Sequence, residues 1–344
     1  MKHNLSIATA LALSLLVVPA CKKDKKEGSD KTETSEKAGG DTKAKGGDKG
    51  TAEMGNSPGA AAAGDMMAHF PADTEIVLAF NIANLTGSKM WKEYGDAAMA
   101  NASKELGEFK ETCGFDPVTT IKSVHLGINS AKSEEPVMIV NGFAREQLTK
   151  CATAMAAKEG KKVEITEEGK FTFITHEDKK TTIGWVDGTT MLLVPNKADQ
   201  AYLEARMAGK DGLKGNAGFE TAAGKAKQSA PIWFAGNFAA GSPAASGAGA
   251  MGAAPTGFYG SIGFTDGVDF DLGVTFADAK SAEETLNMAK PMLGMAKGQL
   301  GPAGDIVDKL QLATKGADMT VGLKLTDADV EKLKALAGPM LGGM

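Results

Sequence analysis

Phe258 to Phe276 reads FYGSIGFTDGVDFDLGVTF, two alternating runs around an Asp-Gly pair. In the second run Val268, Phe270, Leu272, Val274 and Phe276 share one side, and Asp269, Asp271 and Thr275 share the other. A period of two belongs to a strand with one buried face. Asp266-Gly267 is a favoured two-residue hairpin connection, because its central positions take positive φ. The stretch predicts an antiparallel hairpin.

The same pattern extends in both directions. Pro231 to Ala239 reads as a buried strand, and Lys309 to Thr314 with Met319 to Leu325 as another hairpin. Between them lies a helix opened by Ser281 and Glu284 as a capping box and broken near Pro291 and Gly294. A last helix is capped by Thr326 and Asp329. In the first half, Glu75 to Asn84 reads as a strand and Ser88 to Phe109 as a helix. Strands Ser123 to Asn129 and Pro136 to Gly142 follow, then a helix over Arg145 to Lys158. Short alternating runs come next, the last pair joined by Asp187-Gly188, and then a helix starting near Asn196. These elements predict an α+β fold of repeated β-β-α units, with antiparallel sheets and helices on one face. Two related halves, 66–230 and 231–344, are expected. Ala240 to Thr256, AGSPAASGAGAMGAAPT, reads as a low-complexity surface loop within the second.

Residues 1–20 form a different kind of segment. After Lys2 and His3 an apolar run of roughly 15 residues ends in small side chains, too short for a bilayer-spanning helix and suited to a cleaved signal peptide. Its end, Val18-Pro19-Ala20-Cys21, resembles the lipobox of bacterial lipoproteins. The resemblance implies that Cys21 receives diacylglycerol and becomes an acylated N-terminus, palmitate being a usual acyl group, with enough chains for stable anchoring in a lipid bilayer. Lys22, where an inner-membrane retention signal would carry Asp, points to the outer membrane, facing the periplasm or the cell surface.

Residues 21–65 have the composition of a tether. From Lys22 to Asp65 there is no aromatic residue and one Met, Met54, while nine lysines balance nine acids. Such a segment buries too little apolar surface to offset its ordering entropy and is expected to be a disordered spacer. Its root-mean-square reach is about 35 Å. With Lys2 and these groups set aside, 28 of the 38 basic residues and 34 of the 43 acids remain, a net charge of −6. That balance, without an Arg-rich helix, argues against nucleic acid as a partner.

Cys21 apart, Cys113 and Cys151 form an even pair in an exported chain, where a disulfide is expected. They lie too far apart for a C-x-x-C redox centre. No G-x-S-x-G or H-E-x-x-H is present, and His69, His125 and His176 stand in no triad pattern. No catalytic residue, cofactor or metal site is therefore assigned. Methionine is the compositional anomaly. Met288, Met292 and Met295 lie on the helix before the last hairpin, and Met340 and Met344 follow. Thioether side chains suit an adaptable apolar ligand site.

Pro71-Ala72-Asp73-Thr74 leading into a strand, followed by Ser88-Lys89-Met90-Trp91, resembles the opening of an uncharacterised group of bacterial envelope proteins built from repeated α/β modules. No activity is implied by that resemblance. Three functional classes stay open: a non-enzymatic envelope lipoprotein contacting another envelope component, a carrier of a hydrophobic ligand, and an enzyme with an unrecognised site.

Overall fold

The computed structural model describes residues 66–132, 136–176, 179–194, 199–248, 253–299 and 304–333. By its contacts the chain divides after Ser57, and every described residue belongs to the second unit. The signal peptide, Cys21, the tether, Asn196, Met340 and Met344 lie outside the described residues.

The strands are β1 (Ile76–Asn81), β2 (Ser123–Ile128), β3 (Val137–Asn141), β4 (Val163–Glu168), β5 (Phe171–His176), β6 (Lys179–Trp185), β7 (Thr190–Leu193), β8 (Ile232–Asn237), β9 (Gly257–Gly263), β10 (Val268–Thr275), β11 (Leu310–Lys315) and β12 (Asp318–Leu325). They form one 12-stranded sheet in the order β11-β12-β10-β9-β8-β1-β2-β3-β7-β6-β5-β4. Every neighbouring pair is antiparallel. The pairing of β1 with β8, Leu78 opposite Phe234, makes 66–230 and 231–344 parts of one continuous sheet.

The helices are α1 (Ile82–Gly87), α2 (Lys89–Ala98), α3 (Ser103–Cys113), α4 (Pro117–Thr120), α5 (Arg145–Lys158), α6 (Gln200–Met207), α7 (Ala217–Lys225), α8 (Pro243–Ala248), α9 (Ala279–Gln299) and α10 (Gly304–Val307). Residues 327–333 are also helical. Helices cover both faces of the sheet, not the single face expected. On one face Val77, Ala79, Ile139, Leu192, Trp233 and Ala235 pack with Leu203 of α6, Phe219, Ala222 and Ala223 of α7, and Phe70 of the entering chain. This is the core face.

On the opposite face, α5 crosses one end of the sheet, where Arg145 Nε donates to Thr172 Oγ1 (2.9 Å). At the other end α9 packs on β11 and β12, leaving Leu310 and Leu312 half-buried while Gln311 and Ala313 stay exposed on the far side. The physical reason for the difference lies in β3 and β7. Their described side chains Val137 to Val140 and Thr190 to Leu193 are buried throughout, so these strands need cover on both faces.

Four local expectations change. The helix expected over Ser88 to Phe109 is interrupted by a 3-10 turn at Ala100–Ala102. α9 continues through Pro291, whose exposed position lets water reach the carbonyl left without a donor. It starts at Ala279, and Asp278 Oδ1 accepts from Ser281 N (2.8 Å) as the cap. The stretch 240–256 contains α8, whose Ala245 is buried, and so is not a structureless loop over its described residues.

The Asp-Gly turns also differ from a turn with two positive φ values. Gly267 takes φ +95°, whereas Asp266, Asp187 and Gly188 are not in the left-handed region. At the second turn Asp187 Oδ1 accepts from both Thr189 N and Thr190 N (2.8 Å each). That Asx turn shapes the chain instead.

Candidate functional site

Two surfaces stand apart from the packed core. The first is on α9. Ala282 and Leu286 are buried against the sheet and Leu293 is half-buried, a stripe at helical spacing. Met288, Met292 and Met295 form a second stripe at i, i+4 and i+7, and their exposures are 46, 50 and 63%. At 3.6 residues per turn this stripe lies roughly 120° around the helix from the buried one. The three candidate ligand residues therefore share a face, and that face is turned to solvent. They form a convex ridge and do not line the cleft described next.

That cleft lies on the core face beyond α7, over β9, β10, β12 and β11. Here the sheet changes character. Across β8 and β9, Trp233 pairs with Ser261, and across β10, β12 and β11 the same face continues through Asp271, Gly322 and Gln311. The neighbouring row on that face runs from Ala235 through Tyr259, Gly273 and Thr320 to Ala313. The apolar cover of α7 ends, and polar or small side chains form an open floor.

The end of α7 and the residues after it supply a cationic wall. Lys225 Nζ lies 2.6 Å from Asp318 Oδ2, and Lys227 Nζ lies 2.5 Å from Asp271 Oδ2 and 3.4 Å from Asp269 Oδ2. Thr275 Oγ1 donates to Asp318 Oδ1 (2.6 Å), and Tyr259 Oη donates to Asp318 Oδ2 (3.4 Å). Burial pushes the Asp318 carboxyl up, but the hydrogen bonds from Lys225 and Thr275 outweigh it and hold the group below its ordinary value. The Asp271 hydrogen bond holds Lys227 above its ordinary value, against burial. Each cation thus has its own anion, and the wall is ion-paired along its length.

Tyr259 is positioned by a missing side chain. A Cβ at Gly273 would stand 2.1 Å from the Tyr259 Cζ atom, so the ring lies against the backbone of β10. Lys225 Nζ stands 5.2 Å from its centroid, within reach of a cation–π attraction. The cleft encloses about 400 Å³.

These residues were missed in the sequence because they come from the end of α7 and from four separate strands. One signal was legible there: Asp269, Asp271 and Thr275 share the polar side of β10.

Elsewhere, Cys113 and Cys151 are disulfide-bonded, with Cα atoms 4.3 Å apart, and join α3 to α5. His125 is buried at the centre of the core face, far from any triad pattern. His69 sits at the entry of the chain, where its Nδ1 lies 2.9 Å from the Arg206 carbonyl oxygen. Among the described residues no group of three His, Cys, Asp or Glu side chains is placed to hold a metal ion, and no helix is long and apolar enough to cross a membrane. Comparison with known proteins gives no matching family and no matching curated protein. A solved structure described as "Structure of crystal form I of TP0453" is similar at TM-score 0.43 and 8% identity, over 77% of this chain and 94% of that one.

Proposed function

We propose that this chain is a lipid-anchored cell-envelope protein, held to a membrane through acylated Cys21, whose body engages another envelope protein without catalysing a reaction. The ridge of Met288, Met292 and Met295 carries the reading. An i, i+4, i+7 row of exposed apolar side chains is the pattern by which a helix lies in an apolar groove of a partner. A convex ridge cannot wrap an acyl chain, whereas a partner's groove can wrap the ridge. Thioethers adapt to such a groove at little cost in strain. The spacer expected over 21–65 would let the ridge search a volume away from the bilayer.

The body is read as two related halves. Counting outward from the β1–β8 pair, each half places three strands in chain order, then a last strand (β7 or β12) beside the third (β3 or β10). In each, a helix (α5 or α9) intervenes between the third strand and the strand at the far edge (β4 or β11). This common order supports a recurring β-β-α unit, with an extra hairpin in the first half.

Site-specific photo-cross-linking from position 292 in growing cells tests the reading. A discrete adduct that disappears when Met288 and Met295 are changed to Ser supports it. The absence of any adduct under several growth conditions would sink it. Separately, Cys21→Ala should move the protein from the membrane to the soluble fraction.

A row of half-buried apolar side chains on the face opposite the core supports a second reading, a carrier of a hydrophobic ligand. Ile76, Leu78 and Phe80 of β1 lie beside Leu126 and Ile128 of β2 and Phe234 of β8. Native mass spectrometry of the detergent-solubilised full chain separates the two. Extra mass lost on denaturation would put the carrier reading first, and the bare chain mass would leave the ridge reading in front.

A further inference from the structure

The cleft over β9 to β12 is built differently from the ridge, and its chemistry points to a different partner. Lys225 and Lys227 face three carboxylates, Asp318, Asp271 and Asp269, so the cluster is net negative and disfavours an anion. The three carboxylates outnumber the two lysines, but among the described residues they do not converge to hold a metal ion. Yet the cleft remains rich in hydrogen-bonding groups. The Gln311 side chain is exposed at its margin with no protein hydrogen bond among the described residues, and Ser261 lies in the floor at 2% exposure. Thr320 adds a hydroxyl.

Such a surface suits a ligand that carries no charge but both donates and accepts many hydrogen bonds. A sugar hydroxyl can donate to the free lone pairs of Asp271 and accept from Lys227 without displacing either partner, because each retains bonding capacity. The ion pairs hold those side chains in place beforehand, which lowers the ordering cost of binding. The Tyr259 ring, laid against Gly273, adds apolar surface to the lining of the cleft, on which the C–H groups of a pyranose can pack. A volume of about 400 Å³ lies within the range of small-molecule sites and fits two or three sugar units.

We propose that the cleft formed by Lys227, Tyr259, Ser261, Asp271, Gln311 and Thr320 binds a neutral oligosaccharide. The proposal is independent of the methionine ridge and of the lipid anchor.

Saturation-transfer NMR on the full chain in detergent tests it, with maltotriose, cellotriose and N,N′-diacetylchitobiose as probes and inorganic phosphate as competitor. At least one sugar should receive saturation from the protein. Its dissociation constant should rise about five- to tenfold in Gln311→Ala, the equivalent of one lost hydrogen bond of ~1 kcal/mol. Tyr259→Ala should weaken binding further, and Tyr259→Phe, which keeps the ring, should stay close to the unchanged protein. Gln311 is exposed on an edge strand, so its variant tests binding without endangering the fold. No transfer to any of the three sugars would overturn the proposal, as would transfer undiminished in Gln311→Ala. Displacement of the sugar by equimolar phosphate would overturn it in favour of an anion site.

Discussion

His125 and Trp233 flank Ala79 on the core face, their ring centroids 6.3 Å apart and their planes at 66°. Neither imidazole nitrogen nor the indole N–H has a hydrogen-bond partner among the described residues. Burial alone pushes the His125 pKa down to about 4. The folded protein therefore holds this imidazole neutral, while the unfolded chain binds a proton near the ordinary value of 6.5. Between about pH 6.5 and 4 the unfolded state binds more protons, so stability rises with pH across that window and is fully present above it.

The full penalty is roughly 3 kcal/mol, reached near the lower end of the window. Urea unfolding of the wild type at pH 7.5 and 5.0 should show a fall in midpoint that is much reduced in His125→Phe. An equal fall in both proteins would assign the acid sensitivity to other groups.

Phe70 and Gly127 give a steric prediction. A Cβ at position 127 would lie 2.3 Å from Phe70 Cδ1 and 2.7 Å from Cε1, and Phe70 is fully buried. The ring cannot shift without leaving the core. Gly127→Ala should therefore cost about 1–3 kcal/mol through overpacking. The segment around Phe70, which enters the sheet from the N-terminal side, should become the first site of limited proteolysis. An unchanged melting temperature together with an unchanged cleavage pattern would contradict this account.

How much of this was legible in the sequence follows from the same residues. The alternation in Val268 to Phe276 gave the strand and its hairpin partner, but not its faces, since both sides are half-buried and the polar row lies on the core face beyond α7. The helix over Arg145 to Lys158 was likewise readable to its ends. Helical cover on both faces was not, since an unbroken apolar run such as Val137 to Val140 fits a doubly buried strand and other buried segments alike. The pairing of β1 with β8 joins residues about 155 positions apart, and no local pattern encodes it. The cleft was hidden for a related reason. Lys227, Tyr259, Asp271 and Gln311 meet only through the register of four elements, whereas Met288, Met292 and Met295 share one helix and could be found by spacing.

Reduction of the Cys113–Cys151 bond gives a third test. The cysteines are 38 residues apart in sequence, and the bridge fastens α3 to α5. In the chain-entropy argument, opening such a loop destabilises the fold by about 4 kcal/mol. Urea midpoints with and without a phosphine reductant should differ accordingly, and Cys113→Ser with Cys151→Ser should match the reduced wild type. A midpoint indifferent to reductant would mean that the helices are held by packing alone.

Oxidation separates the methionines by position. Met288, Met292 and Met295 are exposed, while Met67, Met138 and Met191 are 8, 5 and 6% exposed. Dilute peroxide acting on purified protein should convert the first group to sulfoxide well before the second, since the thioether must be reached to be oxidised. Replacing any one of the three ridge residues with Ser should change stability by no more than about 0.5 kcal/mol, as expected for exposed positions outside the core. The decisive comparison is between purified protein and intact cells. If a partner's groove covers the ridge, Met288, Met292 and Met295 will be protected in cells relative to an exposed reference peptide, and the protection will vanish on extraction. Equal oxidation in both settings would leave the ridge bare in the cell and remove the observation on which the partner reading rests.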